Sequence, residues 1–340
     1  MTRKPVVFVT GACGEIGHSL IARLAENPDR PIISLDLNPL DKDLRPLVQR
    51  HVIGSILDGN LLESLQAEYE IDFILHLAAL LSTRSEFAPM AAHRVNVEGT
   101  MALLEFAQRQ GESHGRPVLF IYPSSIAAYG LPSVAEKTRA GKVREDAYAW
   151  PTTMYGCNKL YCEMLGVYYA KHYKQLAAEA AHRKVDFRSV RFPGLISALT
   201  VPSGGTSDYA PEMLHAAAQG EPYACFVRPD TRIPFMAMPD AVDALMQLSA
   251  AKPQSLSRPV YNIAAFNPSA DEVRAIVLQE FPRAQISYEV DVKRQGIVDS
   301  WPEDVDDSAA RADWGFRPCF DLNRAFREYL IPTIKQRYSR

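Results

Sequence analysis

The sequence has no block of like charge. Lys and Arg number 37 against 40 Asp and Glu, a formal net charge of −3. Neither a nucleic acid nor an anionic membrane is therefore expected as a partner. No apolar run is long enough to span a bilayer, and the residues after Met1 carry no signal-peptide pattern. Cysteine is scarce, with five residues at positions 13, 157, 162, 225 and 319. Odd in number and scattered, they suit the reduced thiols of a cytoplasmic protein better than a disulfide framework. Cys157 and Cys162 have no matching His/Cys pair nearby, so no metal is expected. Internal repeats and low-complexity segments are missing too. What remains is 47% apolar and 23% charged residues, ordinary for a soluble globule. The length allows one large domain with a smaller lobe.

The pattern of that globule is strand, helix, strand, helix. Val6–Val9 is a continuous apolar run rich in β-branched residues, as in a strand buried on both faces. It leads into Thr10-Gly11-Ala12-Cys13-Gly14-Glu15-Ile16-Gly17, and then Ile16, Leu20, Ile21 and Leu24 recur on one helical face. Strand, Gly-x-x-Gly-x-x-Gly and helix form a dinucleotide-binding turn. Gly11 permits the tight turn, Gly14 lets backbone approach a pyrophosphate, and Gly17 lets helix pack on sheet. The phosphates are expected at the positive end of the helix. A second strand, Ile32–Leu35, ends in Asp36, about twenty positions on, where an acid accepts from both ribose hydroxyls of NAD and repels a 2′-phosphate. The expected cofactor is NAD.

His51–Asp58 reads as a third strand whose terminal Asp58 lies near the adenine, followed by a helix over Leu61–Tyr69. Ile71–Ala79 is a fourth strand, and its small Ala78-Ala79 end lets the cofactor lie close. Glu86–Gln110 is mostly helix, and Val95, Val97, Leu103, Leu104 and Phe106 give it a broad apolar surface suited to a core and a dimer. Val118–Tyr122 is a fifth strand ending in Pro123-Ser124-Ser125. Leu131–Pro151 is polar and proline-bounded, a loop. Lys174–Lys184 looks like an exposed helical extension. Phe187–Phe192 is a sixth strand, Thr200–Pro211 a linker, and Ala224–Val227 and Ile233–Met236 short strands. Asp240 is expected to cap a helix through Leu248, Val260–Ile263 is a strand, and Ser269 with Glu272 opens a helix by a capping box. The fold class is α/β, a doubly wound parallel Rossmann sheet. The NAD-binding domain is expected over 1–197, with 222–265 returning to it; 198–221 and 266–340 form a smaller substrate-binding lobe.

Between the fifth and sixth strands lies Tyr155-Gly156-Cys157-Asn158-Lys159. Residues four apart share a helix face. A free phenol titrates near pH ~10, too high for a base at neutrality. A fixed cation beside it stabilises the phenolate. The pair then takes a proton from an alcohol while a cofactor takes the hydride.

Together the glycine turn, Asp36, Ser124-Ser125 ahead of Tyr129-Gly130, and Tyr155 with Lys159 resemble the extended short-chain dehydrogenase/reductases, which include nucleotide-sugar epimerases and dehydratases. In the second half, Arg191–Ser197, Gly204-Gly205-Thr206-Ser207-Asp208-Tyr209, Asp230–Pro234, Asp299-Ser300-Trp301-Pro302 and Asp306–Arg311 closely resemble the zinc-independent L-threonine 3-dehydrogenases of that superfamily. The resemblance implies oxidation of the C3 hydroxyl of L-threonine to 2-amino-3-oxobutyrate. Tyr155 would be the base, Lys159 its electrostatic partner, and Ser125 the hydroxyl that orients the reacting oxygen. It also implies NAD contacts from Gly11, Cys13, Gly14, Glu15, Ile16, Gly17, Asp36, Ile56, Leu57, Asp58, Leu77, Ala78, Ala79, Asn96, Phe192, Pro193 and Leu195. Tyr155 and Lys159 would also touch NAD, Lys159 by holding the nicotinamide ribose, and Ser82, Gly194, Thr206, Ser207 and Asp208 would join Ser125 and Tyr155 around the substrate; the apolar surface of 86–110 points to a homodimer. Two alternatives share these motifs. A nucleotide-sugar epimerase or dehydratase would return the hydride, although Ile126-Ala127 stands where a dehydratase carries Asp-Glu; a sugar-acid dehydrogenase is its near relative. A non-catalytic NAD-binding protein is the third reading.

Overall fold

Val6, Val7, Phe8 and Val9 are all buried in β1 (Pro5–Thr10), as a strand covered on both faces requires. The computed structural model describes residues 5–177, 182–202 and 204–339. After β1 come α1 (Glu15–Leu24), β2 (Ile32–Asp36), β3 (Arg50–Ile53), α2 (Gly59–Glu68), β4 (Glu70–His76), α3 (Ser82–Phe87), α4 (Pro89–His93), α5 (Gly99–His114) and β5 (Val118–Ser125). The middle of the chain holds α6 (Val134–Ala140), β6 (Lys142–Val143), α7 (Met154–Lys171), β7 (Val185–Phe192), β8 (Gly194–Ile196) and α8 (Tyr209–Gln219). Then follow β9 (Tyr223–Cys225), β10 (Phe235–Ala237), α9 (Met238–Ala250), β11 (Val260–Asn262), α10 (Ala270–Glu280), β12 (Ile286–Tyr288), α11 (Val292–Asp299) and β13 (Asp304–Val305), ahead of short C-terminal helices.

Seven strands form one parallel sheet in the order β11-β7-β5-β4-β1-β2-β3. The chain winds outward in both directions from β1, the doubly wound Rossmann arrangement. The reversal opens a crevice at the carboxyl ends of β1 and β4. Leu20 and Ile21 of α1 and Leu245 and Leu248 of α9 cover one face; Leu103, Leu104 and Phe106 of α5 and Cys162 of α7 cover the other. A third apolar cluster, including Tyr209, Met213, Phe226, Phe235, Val277 and Phe326, underlies the second half of the chain. There β8 pairs with β10, β9 with β12 and β6 with β13. The return of the chain to the main sheet thus runs through α9 and β11, while β9 pairs with β12.

Several local expectations give way to the structure. The third strand stops at Ile53, and Asp58 instead caps α2, accepting from Leu61 N at 3.1 Å. The long helix over Glu86–Gln110 is broken. Ala88 leaves helical space (φ −138°, ψ 65°) ahead of Pro89, and Arg94–Glu98 forms a π-turn. Leu131–Pro151 is not a plain loop. Ser133 accepts from Glu136 N at 3.1 Å to cap α6, and β6 finds its partner in β13, far along the chain. Among the described residues of Lys174–Lys184 there is no helix: α7 ends at Lys171, Lys174 turns the chain at φ 47° and 182–184 are irregular, while 178–181 lie outside the described residues. Asp240 caps nothing; it lies inside the first turn of α9 and accepts from Cys319 N and Phe320 N at 2.8 and 3.0 Å. The capping box at Ser269 and Glu272 is present as expected.

Candidate active site

At the carboxyl end of β1 the backbone turns through Gly11 at φ 70°, where a Cβ would stand 2.5 Å from Ala78 N. A Cβ at Gly17 would likewise stand 2.5 Å from Ala12 O, so α1 sits against the turn only with glycine there. Gly14 differs. Its Cβ would meet only Gly11 O, at 3.4 Å, and it N-caps α1 without a side-chain cap. No side chain caps the amides that open α1, and Gly14–Gly17 line the cavity, which suits a diphosphate. Asp36 stands at the end of β2. Its Oδ2 accepts from Cys13 N at 2.9 Å and its Oδ1 from Asn38 N at 3.0 Å, which fixes the carboxylate at the rim. A cavity of about 530 Å³ runs from here along the strand ends. The residues fit NAD: uncapped amides for the phosphates, an oriented acid for the ribose, and small residues at Ala78 and Ala79.

Farther along the cavity are Ser125, Tyr155 and Lys159. Ser125 ends β5, and its Oγ accepts from Ala127 N at 3.1 Å. Thr153 caps α7, accepting from Gly156 N at 3.1 Å, and places Tyr155 in the first turn. A Cβ at Gly156 would lie 2.0 Å from Ala127 O, so glycine there lets α7 press on the turn after Ser125 and brings the two hydroxyls to one wall. Lys159 is buried, and its Nζ donates to Pro123 O at 2.6 Å. The same Nζ lies 4.5 Å from the centre of the Tyr122 ring and 5.5 Å from that of Tyr155. Burial sets the electrostatics. It pushes the Tyr155 phenol well above its ordinary value and draws the Lys159 ammonium down to about 8. Desolvation thus outweighs the lowering of the Tyr155 pKa expected from Lys159, whose ammonium is held on Pro123 O.

A buried network backs this wall. Glu163 accepts from the Ser124 hydroxyl and pairs with Arg191 through Nε at 2.9 Å and Nη2 at 2.7 Å. The Arg191 guanidinium also lies 4.6 Å from the centre of the Tyr129 ring. Beside β1, His76 is buried between Thr10 Oγ1 (2.8 Å) and Thr100 Oγ1 (2.9 Å), and burial draws its pKa down to about 3.

Most of the residues implied by resemblance reach the cavity. Gly11, Cys13, Gly14, Glu15, Ile16, Gly17, Asp36, Ile56, Leu77, Ala78, Ala79, Phe192, Pro193 and Leu195 line it. Ser82, Gly194, Ser207 and Asp208 do so as well. Four do not. Asp58 caps α2, and Leu57 lies beside it on the surface, 43% exposed. Asn96 is buried behind the wall, where its amide grips the Leu80 backbone at 2.7 and 3.0 Å. Thr206 is also buried and donates to Ser82 Oγ at 3.1 Å, so it positions a lining residue. Burial and the nearby Asp208 raise the Glu15 pKa, while a hydrogen bond from Thr200 opposes the rise. Arg84 and Trp301 line the cavity without having been assigned a role. Trp301 had a signal in the Asp-Ser-Trp-Pro segment; Arg84 had none. Among the described residues no group of His, Cys, Asp and Glu is arranged to hold a metal.

Residues 7–264 match the model of the NAD dependent epimerase/dehydratase family. An uncharacterized epimerase/dehydratase of Staphylococcus haemolyticus is 35% identical over 339 residues, covering 97% of this chain and 98% of that protein. Among solved structures, a partial consensus L-threonine 3-dehydrogenase superposes with a TM-score of 0.86 at 35% identity, over 98% of this chain and all of that one. The holo form of a GalE-like L-threonine dehydrogenase from Cupriavidus necator gives 0.84 at 35% identity, over 98% and 99% of the two chains.

Proposed function

The chain belongs to the NAD dependent epimerase/dehydratase family, and within it we propose that the protein is an L-threonine 3-dehydrogenase. The observation that carries this reading is likeness to threonine dehydrogenases along nearly the whole chain, substrate half included. In the cavity, Ser125 and Tyr155 share a wall with Ser82, Ser207 and Asp208 within reach of the same space. NAD⁺ held by the Gly11–Gly17 turn and Asp36 would supply the hydride acceptor. Tyr155 takes the proton of the C3 hydroxyl as C3 loses its hydride, giving 2-amino-3-oxobutyrate, NADH and a proton. Ser125 donates to the reacting oxygen and holds it in line. The substrate ammonium lies toward Asp208, and its carboxylate toward the Ser82 and Ser207 hydroxyls, so neither charge is buried without a partner.

We assign the Rossmann half to the cofactor and the lobe built from 198–221 and 266–340 to the substrate. A second copy is the proposed cover for the exposed side chains of Met101 on α5 and Tyr161 and Met164 on α7. Of the apolar surface expected to serve a core and a dimer, Val97, Leu103, Leu104 and Phe106 lie in the core and Val95 packs against it. Among the described residues no helix is long and apolar enough to cross a membrane. The five cysteines are unpaired, which favours a cytoplasmic setting.

The test is NADH formation from NAD⁺ and L-threonine by the wild type and by Tyr155→Phe. Turnover lost in the variant supports both substrate and base. Conversion of a nucleotide sugar without accumulation of NADH would replace this reading with an epimerase.

A further inference from the structure

The segment that resembled a surface loop, residues 131–151, is clamped onto one wall of the cavity. Trp301 lines that cavity together with Tyr155 and is only 4% exposed. Trp301 follows the last turn of α11, where Ser300 N and Trp301 N donate to Ile297 O and Val298 O at 3.1 and 3.2 Å. Four ties reach this turn and the strand after it from outside. Lys137 of α6 donates from Nζ to Val298 O at 3.0 Å. Leu131 N donates to Ser300 O at 2.8 Å. Thr152, two residues before the first turn of α7, shares a hydrogen bond with Ser300 Oγ at 3.0 Å. β6 pairs with β13, and Asp306 N donates to Val143 O at 2.9 Å.

Lys137 is the unusual member of this set. It is 4% exposed, on a short helix that otherwise faces solvent. A lysine is rarely buried without a reason, since its ammonium loses hydration. Here it meets the carbonyl end of α11, where the helix dipole favours a cation and a backbone acceptor needs a donor. Asp299 and Glu303 also attract it and Arg228 repels it, while burial draws its pKa down to about 8. The Asp299 carboxylate is itself taken by Arg228, at 2.8 and 3.0 Å, and by Gln295 at 2.7 Å. The ammonium therefore bonds the helix end rather than the acid.

We propose that Lys137 is a positioning residue for substrate: by holding the last turn of α11 it seats Trp301 in the wall of the cavity that Tyr155 also lines, and so sets substrate affinity rather than the rate of hydride transfer. The 131–151 segment is then the brace of the substrate pocket. The kinetic part rests on the L-threonine reading; the structural part does not.

The sequence has three tryptophans, so Trp301 can be followed alone in a Trp150→Phe/Trp314→Phe background. In Lys137→Met, acrylamide quenching of Trp301 should rise about twofold or more. The KM for L-threonine should rise about tenfold with kcat within about twofold, the signature of lost ground-state binding. NAD affinity should stay unchanged, and Lys137→Arg, which keeps the donor, should recover most of the KM. Ser300→Ala loosens the same turn from the Thr152 side and should give the same two changes, so the proposal stays testable if Lys137→Met folds poorly. Unchanged Trp301 quenching in folded Lys137→Met and Ser300→Ala overturns it, as does a parallel loss of NAD binding. If the wild type does not oxidise L-threonine, the threonine reading fails and the quenching measurement still decides this one.

Discussion

Lys159 Nζ donates to Pro123 O at 2.6 Å, which ties the helix carrying Tyr155 to the strand that ends in Ser125. Burial raises the Tyr155 pKa, and the buried cation favours the phenolate. Lys159→Met removes the tether and that charge, so the phenol holds its proton to still higher pH. The rise of kcat/KM with pH should shift to the alkaline side, and kcat at neutrality should fall about a hundredfold or more. A pH profile that does not move would leave Lys159 with a structural role only.

Asp36 is oriented by Cys13 N and Asn38 N before any ribose arrives. Asp36→Asn keeps the shape and loses the charge that strengthens the ribose hydrogen bonds and repels a 2′-phosphate. The Kd for NAD⁺ should rise about ten- to a hundredfold, and that for NADP⁺ should fall relative to it. Titration of cofactor binding by calorimetry measures both.

Glu163 and Arg191 are each 4% exposed in their side chains and paired at 2.7 Å. Glu163→Gln leaves the guanidinium buried without its counter-charge and should cost about 3–5 kcal/mol of stability. The double variant Glu163→Met/Arg191→Met removes both charges and should recover most of that loss. Denaturant melts of the three proteins separate a charge effect from a packing effect.

His76 and His215 are buried, and burial lowers their pKa values from 6.5 to about 3 and about 4. Below pH ~6.5 the unfolded chain binds protons that these folded imidazoles refuse, so stability falls as pH falls. Each contributes a loss of about 1.4 kcal/mol per pH unit between its unfolded and folded pKa. His76→Asn should flatten the dependence of unfolding free energy on pH between about 6 and 4. An unchanged slope would mean that His76 is protonated in the fold.

Much of the fold and the reacting end of the site follows from adjacent residues. The run Val6–Val9, the glycine spacing after it, Asp36 at a strand end and the one-turn separation of Tyr155 and Lys159 are local patterns. Their consequences depend on backbone geometry within a few residues, and so they are readable in order along the chain. The sequence places Asp58, Asn96 and Thr206 in the same space, yet nearby donors and acceptors claim them: the cap of α2, the backbone of Leu80 and the hydroxyl of Ser82. The 131–151 segment shows the limit most clearly. Its polarity reads as a loop because the partners that order α6 and β6, Val298, Ser300 and Asp304–Val305, lie more than a hundred residues away. The balance between burial and charge at Tyr155 and Lys159 is of the same kind, since desolvation depends on every element packed around them. Short-range patterning decided the strands of the main sheet, most of the helices that cover it and where the nucleotide turn lies. Long-range hydrogen bonding and burial decided which polar residues face the cavity, how their protons are held, and that Trp301 forms one of its walls.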